Sequence, residues 1–223
     1  LEKGKPLTQG SIYRTPRNEK TGKTSLVLSA GNQGSIGPLD MLYKLFVENE
    51  VVILKMNPVN EYLGPYIIRA FRALIEGNYL SVIFGGSEVG KYACEHELVD
   101  TIHITGSCQT HDAIVWGSEK NKEDGVQQNT KPISSELGCV TPMVIVPGQW
   151  TDAEIDYQAR QIVSMVSHNA SFNCNAGKVL VLPKKWSQKD KLMERVHYHF
   201  KKTPLRKAYY PGAIDRYHTF VEK

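Results

Sequence analysis

Cys174 is the residue with the best surroundings for covalent chemistry. It lies in Asn169-Ala170-Ser171-Phe172-Asn173-Cys174-Asn175-Ala176-Gly177-Lys178-Val179, after an amphipathic helical pattern and before the apolar run Val179-Leu180-Val181-Leu182. A small, polar, Asn-rich loop makes poor core, and a thiolate can stand exposed there as a nucleophile. A buried structural cysteine is the competing reading, and it is the usual fate of a free thiol. His168, six residues earlier, raises a Cys–His pair. At a helix C-terminus it reads better as a surface histidine favoured by the helix dipole. Glu136, in Ser134-Ser135-Glu136-Leu137-Gly138, ends a strand pattern and could activate water as a general base; an ordinary solvated glutamate is the alternative.

A second group of residues has the types that meet phosphates and sugars. Ser29-Ala30-Gly31-Asn32-Gln33-Gly34 follows a strand and opens a helix. It is a GxGxxG fingerprint with Ser29 at the first glycine, a pattern that lets a backbone approach a pyrophosphate at a helix N-terminus. No acid ends the second strand, so a plain strand-to-helix turn carries equal weight. Lys55 closes an apolar strand, where it could donate to ribose hydroxyls or phosphate. Thr105-Gly106-Ser107 follows another strand, and Ser107 can cap a helix, face a phosphate, or do both.

These residues need elements to hold them. Residues 25–30, 51–55, 80–84, 101–105, 132–137, 142–146 and 179–182 read as strands. Residues 36–48, 61–76, 87–94, 151–167 and 189–200 read as helices, with another opening at Gly106-Ser107. Ser87 is a candidate N-cap, and Thr151 or Asp152 caps the long helix. Residues 117–130 read as a polar surface excursion. Such alternation predicts an α/β fold: a Rossmann-like open parallel sheet with helices on both faces, followed by the start of a second α/β catalytic domain. The divisions expected are an arm or linker over 1–24, a partial dinucleotide-binding domain over 25–135, and the N-terminal part of a catalytic domain over 136–223.

Bulk composition narrows the partners. With 41% hydrophobic and 22% charged residues, the 223-residue chain can bury a sizeable core. Its net charge of +4 is mild; the basic residues toward the C-terminus read as a solvated helix face, so no nucleic-acid partner is expected. No apolar run approaches the ~20 residues of a membrane span, and no signal peptide is visible. The four cysteines lack zinc-site spacing, so free thiols in a cytoplasmic, reducing setting are expected. No metal is implied. The missing initiator Met reads as a fragment or a processed chain.

The order of these pieces resembles the aldehyde dehydrogenase superfamily. The Pro-Trp-Asn-like turn of that family is matched by Ala30-Gly31-Asn32. Its Val-Val-Leu-Lys-Pro-like segment is matched by Val52-Ile53-Leu54-Lys55. Its Phe-Thr-Gly-Ser is matched by Ile104-Thr105-Gly106-Ser107, and its Glu-Leu-Gly-Gly by Glu136-Leu137-Gly138-Cys139. Its nucleophile stretch Asn-x-Gly-Gln-x-Cys-x-Ala-Gly is matched by residues 169–177. The resemblance implies NAD(P)-dependent oxidation of an aldehyde to a carboxylic acid, with NAD or NADP as cofactor. It implies that Cys174 attacks the carbonyl to give a thiohemiacetal and then a thioester. It further implies that Asn32 and the Cys174 N–H bind the oxyanion and that Glu136 activates water. Lys55 would bind the adenosine ribose, with Gly86, Gly106 and Ser107 near the adenosine and pyrophosphate. The full-length protein is expected to be a homo-oligomer.

The chain also departs from that pattern. Gly31 stands where the family usually has Trp, and Pro58 where it has an acid three positions after the lysine. Cys139 replaces the second glycine of Glu-Leu-Gly-Gly and is expected to crowd a tight backbone position. Ser171-Phe172 replaces Gly-Gln, and family members are much longer. The alternatives are an acyl-thioester reductase of the same superfamily, a non-catalytic dinucleotide-binding module, and a plain Rossmann dehydrogenase built on the 29–34 turn.

Overall fold

Five β-branched and leucine-rich runs form one parallel sheet. We describe it from a computed structural model covering Gly4, Gly10, residues 13–16 and residues 22–222. Most of the expected arm over 1–24 lies outside the described residues. Strands β1 (Thr24–Leu28), β2 (Val51–Lys55), β3 (Leu80–Ile83), β4 (Thr101–Gly106) and β5 (Ile133–Leu137) lie in the order β3-β2-β1-β4-β5. All neighbours pair parallel, with Leu28 opposite Lys55 and Ile104, and Thr105 opposite Glu136.

Successive strand residues point to opposite faces, so each face has its own core. Val27, Val52, Leu54 and Leu80 pack on one face with Met41 of α1 (Ile36–Phe46) and Ile67 of α2 (Gly64–Ala70). Leu74 and Ile75 of α3 (Arg72–Glu76) join them. Leu26, Leu28, Ile102 and Ile104 pack on the other face with Ala93 and Cys94 of α4 (Ser87–Glu95) and Ile114 of α5 (Cys108–Val115). The expected Rossmann-like sheet with helices on both faces is therefore present. Covering a sheet on both sides explains why its strands read as nearly unbroken apolar runs.

Some expected elements differ, each for a local reason. The helix expected over 61–76 is three pieces: a 3-10 turn (Pro58–Leu63), α2 and α3. Pro65 sits in the first turn of α2, where its missing N–H is tolerated but a continuing helix is not. The helix expected to reach 48 stops at Phe46, and Asn49 follows at φ 59° to close the turn. Gly86, not Ser87, precedes the first turn of α4. The polar excursion holds a short helix, α6 (Glu119–Glu123), capped by Ser118.

The chain divides into two compact units, residues 1–137 and 138–223. In the second, β6 (Thr141–Val144) pairs parallel with β7 (Gly177–Val181). Helices α7 (Asp152–Ser167) and α8 (Lys189–Lys202) pack together through Ile155, Ala159, Ile162, Leu192 and Val196, with Trp186 beside them. Thr151 and Glu154 form a reciprocal capping box at the start of α7. Asp156 of α7 accepts from Arg195 and bonds His199 of α8 at 2.8 Å. Arg195, then His199, holds the Asp156 carboxyl below its ordinary pKa. A last helix, α9 (Ala213–Val221), begins after Gly212 at φ 74°. No helix among the described residues is long and apolar enough to cross a membrane.

Candidate active site

The sheet of the first unit reverses its winding between β1 and β4. Loops at the carboxyl ends of parallel strands diverge at such a point and open a ligand crevice. Asn32 follows β1, Lys55 ends β2, Gly85 and Gly86 follow β3, Gly106 ends β4, Ser107 follows it, and Glu136 lies near the end of β5. The first unit thus gathers six of the seven expected site residues along one edge of its sheet.

Lys55 is 7% exposed, and its ammonium donates to the Met56 carbonyl at 3.1 Å and to the Gly85 carbonyl. Burial lowers its pKa, while nearby Glu61, and more weakly Cys94, raise it. Glu61 also accepts the Gly85 N–H at 2.7 Å. Asn60, buried, donates to the Ala30 carbonyl at 3.1 Å and so fastens the loop that carries Asn32. Sequence reasoning missed Asn60 and Glu61; polar residues just after a strand-end lysine were the available signal.

The glycines differ in what they do. A Cβ on Gly37 would fall 2.3 Å from Ser29 Oγ, so α1 approaches the end of β1 through a glycine outside the expected fingerprint. Gly85 has φ +118°, a conformation other residues rarely adopt. A Cβ on Gly86 would meet nothing within 4 Å, and one on Gly106 only ordinary contacts with Ile104. Packing does not require glycine at these two positions; Gly86 leaves bare backbone beside open space, and Gly106 is exposed at the strand end. Ser107 caps α5, its Oγ accepting the Thr110 N–H at 3.1 Å.

Glu136 is exposed on β5. Beside it lies a polar chain the sequence did not signal. His103 Nδ1 bonds Ser134 Oγ at 2.9 Å, and His103 Nε2 lies 3.3 Å from Asp40 Oδ2. Thr105 donates to the same Asp40 oxygen at 3.0 Å. These contacts depend on sheet order and on α1, which no linear pattern reveals. A cavity of about 460 Å³ lies elsewhere, at the amino ends of the strands, bordered by Thr24, Val51, Tyr79 and Phe46; it is remote from all these residues' strand ends.

Cys174 belongs to the second unit, in the turn between α7 and β7, and it is exposed. The chain reaches it through Asn169, Ala170 and Ser171 at φ 52°, 52° and 65°. Three successive non-glycine residues in the left-handed region cost about 1–2 kcal/mol each, so neighbours must hold them. Lys178 Nζ donates to the carbonyls of Ser171 at 3.2 Å, Asn173 at 3.4 Å and Ala176 at 3.1 Å. Asn169 donates to Asn173 Oδ1 at 2.9 Å and to Tyr209 OH at 3.0 Å. Phe172 meets the Tyr209 ring edge-on at 4.9 Å and the Tyr210 ring at 5.5 Å.

His168 is exposed at the C-cap of α7, as expected, and its Nδ1 is hydrogen-bonded with the Asn173 side chain. Cys139 is exposed, and its thiol comes close to backbone, donating to the Cys174 carbonyl at 2.7 Å. Thr141 donates to the same carbonyl at 3.1 Å. Cys94, by contrast, is buried, and burial pushes its thiol up to about 11. No disulfide joins these cysteines, and the described residues form no cluster able to hold a metal.

Comparison with known proteins agrees with this architecture. The aldehyde dehydrogenase family model matches residues 39–213. The chain is 31% identical over 153 residues to the NADP-dependent glyceraldehyde-3-phosphate dehydrogenase of Streptococcus equinus, covering 67% of this chain and 29% of that protein. It is 29% identical over 133 residues to the D-glyceraldehyde dehydrogenase (NADP(+)) of Picrophilus torridus, covering 59% and 24%. The aligned parts are under a third of those relatives' lengths. The crystal structure of an NAD-dependent aldehyde dehydrogenase from Sinorhizobium meliloti superposes with a TM-score of 0.67 at 22% identity, over 90% of this chain and 39% of that one; it shares the fold. With its parallel sheet, its ordered motifs and a family match over well more than half its length, the chain belongs to the aldehyde dehydrogenase family.

Proposed function

We propose that this chain is the dinucleotide-binding and nucleophile-bearing part of an NAD(P)-dependent aldehyde dehydrogenase. The observation that carries this reading is an exposed cysteine on a turn whose strained backbone is fastened on several sides. In this reading Cys174 attacks the aldehyde carbonyl. The N–H of Cys174 and the side-chain amide of Asn32 stabilise the oxyanion as it develops, where fixed donors act most strongly. Glu136 takes a proton from the water that releases the carboxylic acid. Bound NAD(P) supplies the hydride acceptor.

The residues present suit that cofactor. A lysine ammonium has three donors; two of those of Lys55 meet carbonyls, and a third can meet a ribose hydroxyl. Bare backbone at Gly86 and Gly106 suits close approach of the adenosine and pyrophosphate, with Ser107 at the start of α5. NADP is named for both curated relatives above, which supports testing it first. We assign residues 25–135 to cofactor binding and 136–223 to the start of the catalytic domain, and read the whole protein as a cytoplasmic homo-oligomer; exposed free thiols suit a reducing compartment.

Intact mass measured after incubation with a reactive aldehyde and NADP tests the reading. A covalent adduct is expected on the wild-type chain and absent from Cys174→Ala. Equal labelling of the two proteins, or none on the wild type, refutes it.

A further inference from the structure

We infer that Lys178 is a positioning residue that sets the direction of the Cys174 backbone N–H. The inference rests on the reading of Cys174 as the nucleophile and extends it to a residue no motif marks. The peptide between Asn173 and Cys174 is planar and trans, so its N–H points opposite to its C=O. Lys178 Nζ at 3.4 Å and the Ala176 N–H at 3.2 Å both donate to the Asn173 oxygen. Whatever holds that oxygen therefore aims the Cys174 N–H the other way.

The peptide after Cys174 is fixed separately, by Cys139 and Thr141 on its carbonyl. With both flanking peptide planes held, the side-chain torsion of Cys174 is the main freedom left. Lys178 also bonds the Ser171 and Ala176 carbonyls and lies 3.3 Å from Ser171 Oγ. Four acceptors meet three ammonium protons, so the cation draws together carbonyls that would otherwise repel one another. Among the described residues Lys178 makes no ion pair with a carboxylate, so its charge acts on this turn.

Two electrophiles separate aiming from general support. With p-nitrophenyl acetate, the Cys174 sulfur forms a bond to the acyl carbon through a tetrahedral oxyanion. The bond between the acyl carbon and the phenolic oxygen then breaks, p-nitrophenolate leaves, and the thiol proton goes to solvent. With iodoacetamide the sulfur displaces iodide and no oxyanion forms. Both rates are measured on the full 223-residue chain, with the modified cysteine located by peptide mass.

K178M is expected to slow acylation of Cys174 by about tenfold or more, in line with the loss or misplacement of an oxyanion donor. Alkylation should stay close to wild type, and K178R should restore most of the acylation. If K178M does not fold by circular dichroism, K178Q replaces it with the same expected shift in the ratio of the two rates. Equal slowing of both reactions, or of neither, overturns the role of Lys178 and leaves Cys174 as the nucleophile. A wild-type chain that is never acylated on Cys174 overturns both.

Discussion

Alkaline pH should unfasten the core through Cys94. This thiol is 3% exposed, against Leu26, Leu28, Ile102 and Ile104 on the α4 side of the sheet. Burial raises its pKa from 9.0 to about 11, outweighing the opposite pull of Lys131. The native chain thus holds this proton more tightly than the unfolded chain does. The associated stability is complete below pH 9 and is lost as pH rises through 11. At ~1.4 kcal/mol for each tenfold change in proton affinity, this tighter hold on the proton is worth on the order of 3 kcal/mol. Lys55 acts in the opposite sense: burial lowers its pKa, so the cost of its charge is relieved as pH rises. C94A keeps Lys55 and removes the thiol, at a pH-independent packing cost of about 1 kcal/mol. Urea unfolding of both proteins from about pH 8 to pH 11 therefore isolates the Cys94 contribution. The wild type should lose its advantage over C94A steadily across that range. A difference between the two that does not change with pH would refute the reasoning.

Three further substitutions test the packing. Leu192 is fully buried between α7 and α8, and L192A should destabilise the second unit by about 2–5 kcal/mol in urea unfolding followed by Trp186 fluorescence; a loss well under 1 kcal/mol contradicts the packing described. Gly37→Ala would place a Cβ 2.3 Å from Ser29 Oγ, costing about 1–3 kcal/mol and lowering the melting temperature; an unchanged melting temperature would show that α1 does not need this close approach. Ser25 Oγ is buried without a hydrogen-bond partner among the described residues, so S25A should be neutral or gain about 1 kcal/mol, and a clear loss in the same assay would point to a partner for the hydroxyl.

The sheet was legible because its strands are buried on both faces, which prints short apolar runs such as Val51–Lys55 into the sequence. The start of α7 was legible as a cap at Thr151 or Asp152, because capping is local; the reciprocal bonds of Thr151 and Glu154 settle it on Thr151. The break at Gly64-Pro65 was misread because the apolar spacing continues across it while the backbone cannot. The exposed polar setting of Cys174 was visible in its neighbours' types. The role of its surroundings was not. Lys178 contacts carbonyl oxygens gathered by a left-handed turn, and carbonyls carry no residue identity. The contact of Cys139 with Cys174 depends on β6 pairing with β7. The His103, Asp40 and Ser134 chain likewise needs β4 and β5 in register and α1 overhead.

The ring of Phe172 against Tyr209 and Tyr210, and the hydroxyl of Tyr209 on Asn169, tie the cysteine turn to chain some forty residues further on. A shortened version ending at the close of α8 would keep every motif that suggests an enzyme and lose the aromatic clamp on its reactive turn. The practical unit for dissecting this chemistry extends through Tyr210, a limit drawn by side-chain contacts rather than by the edges of helices or strands.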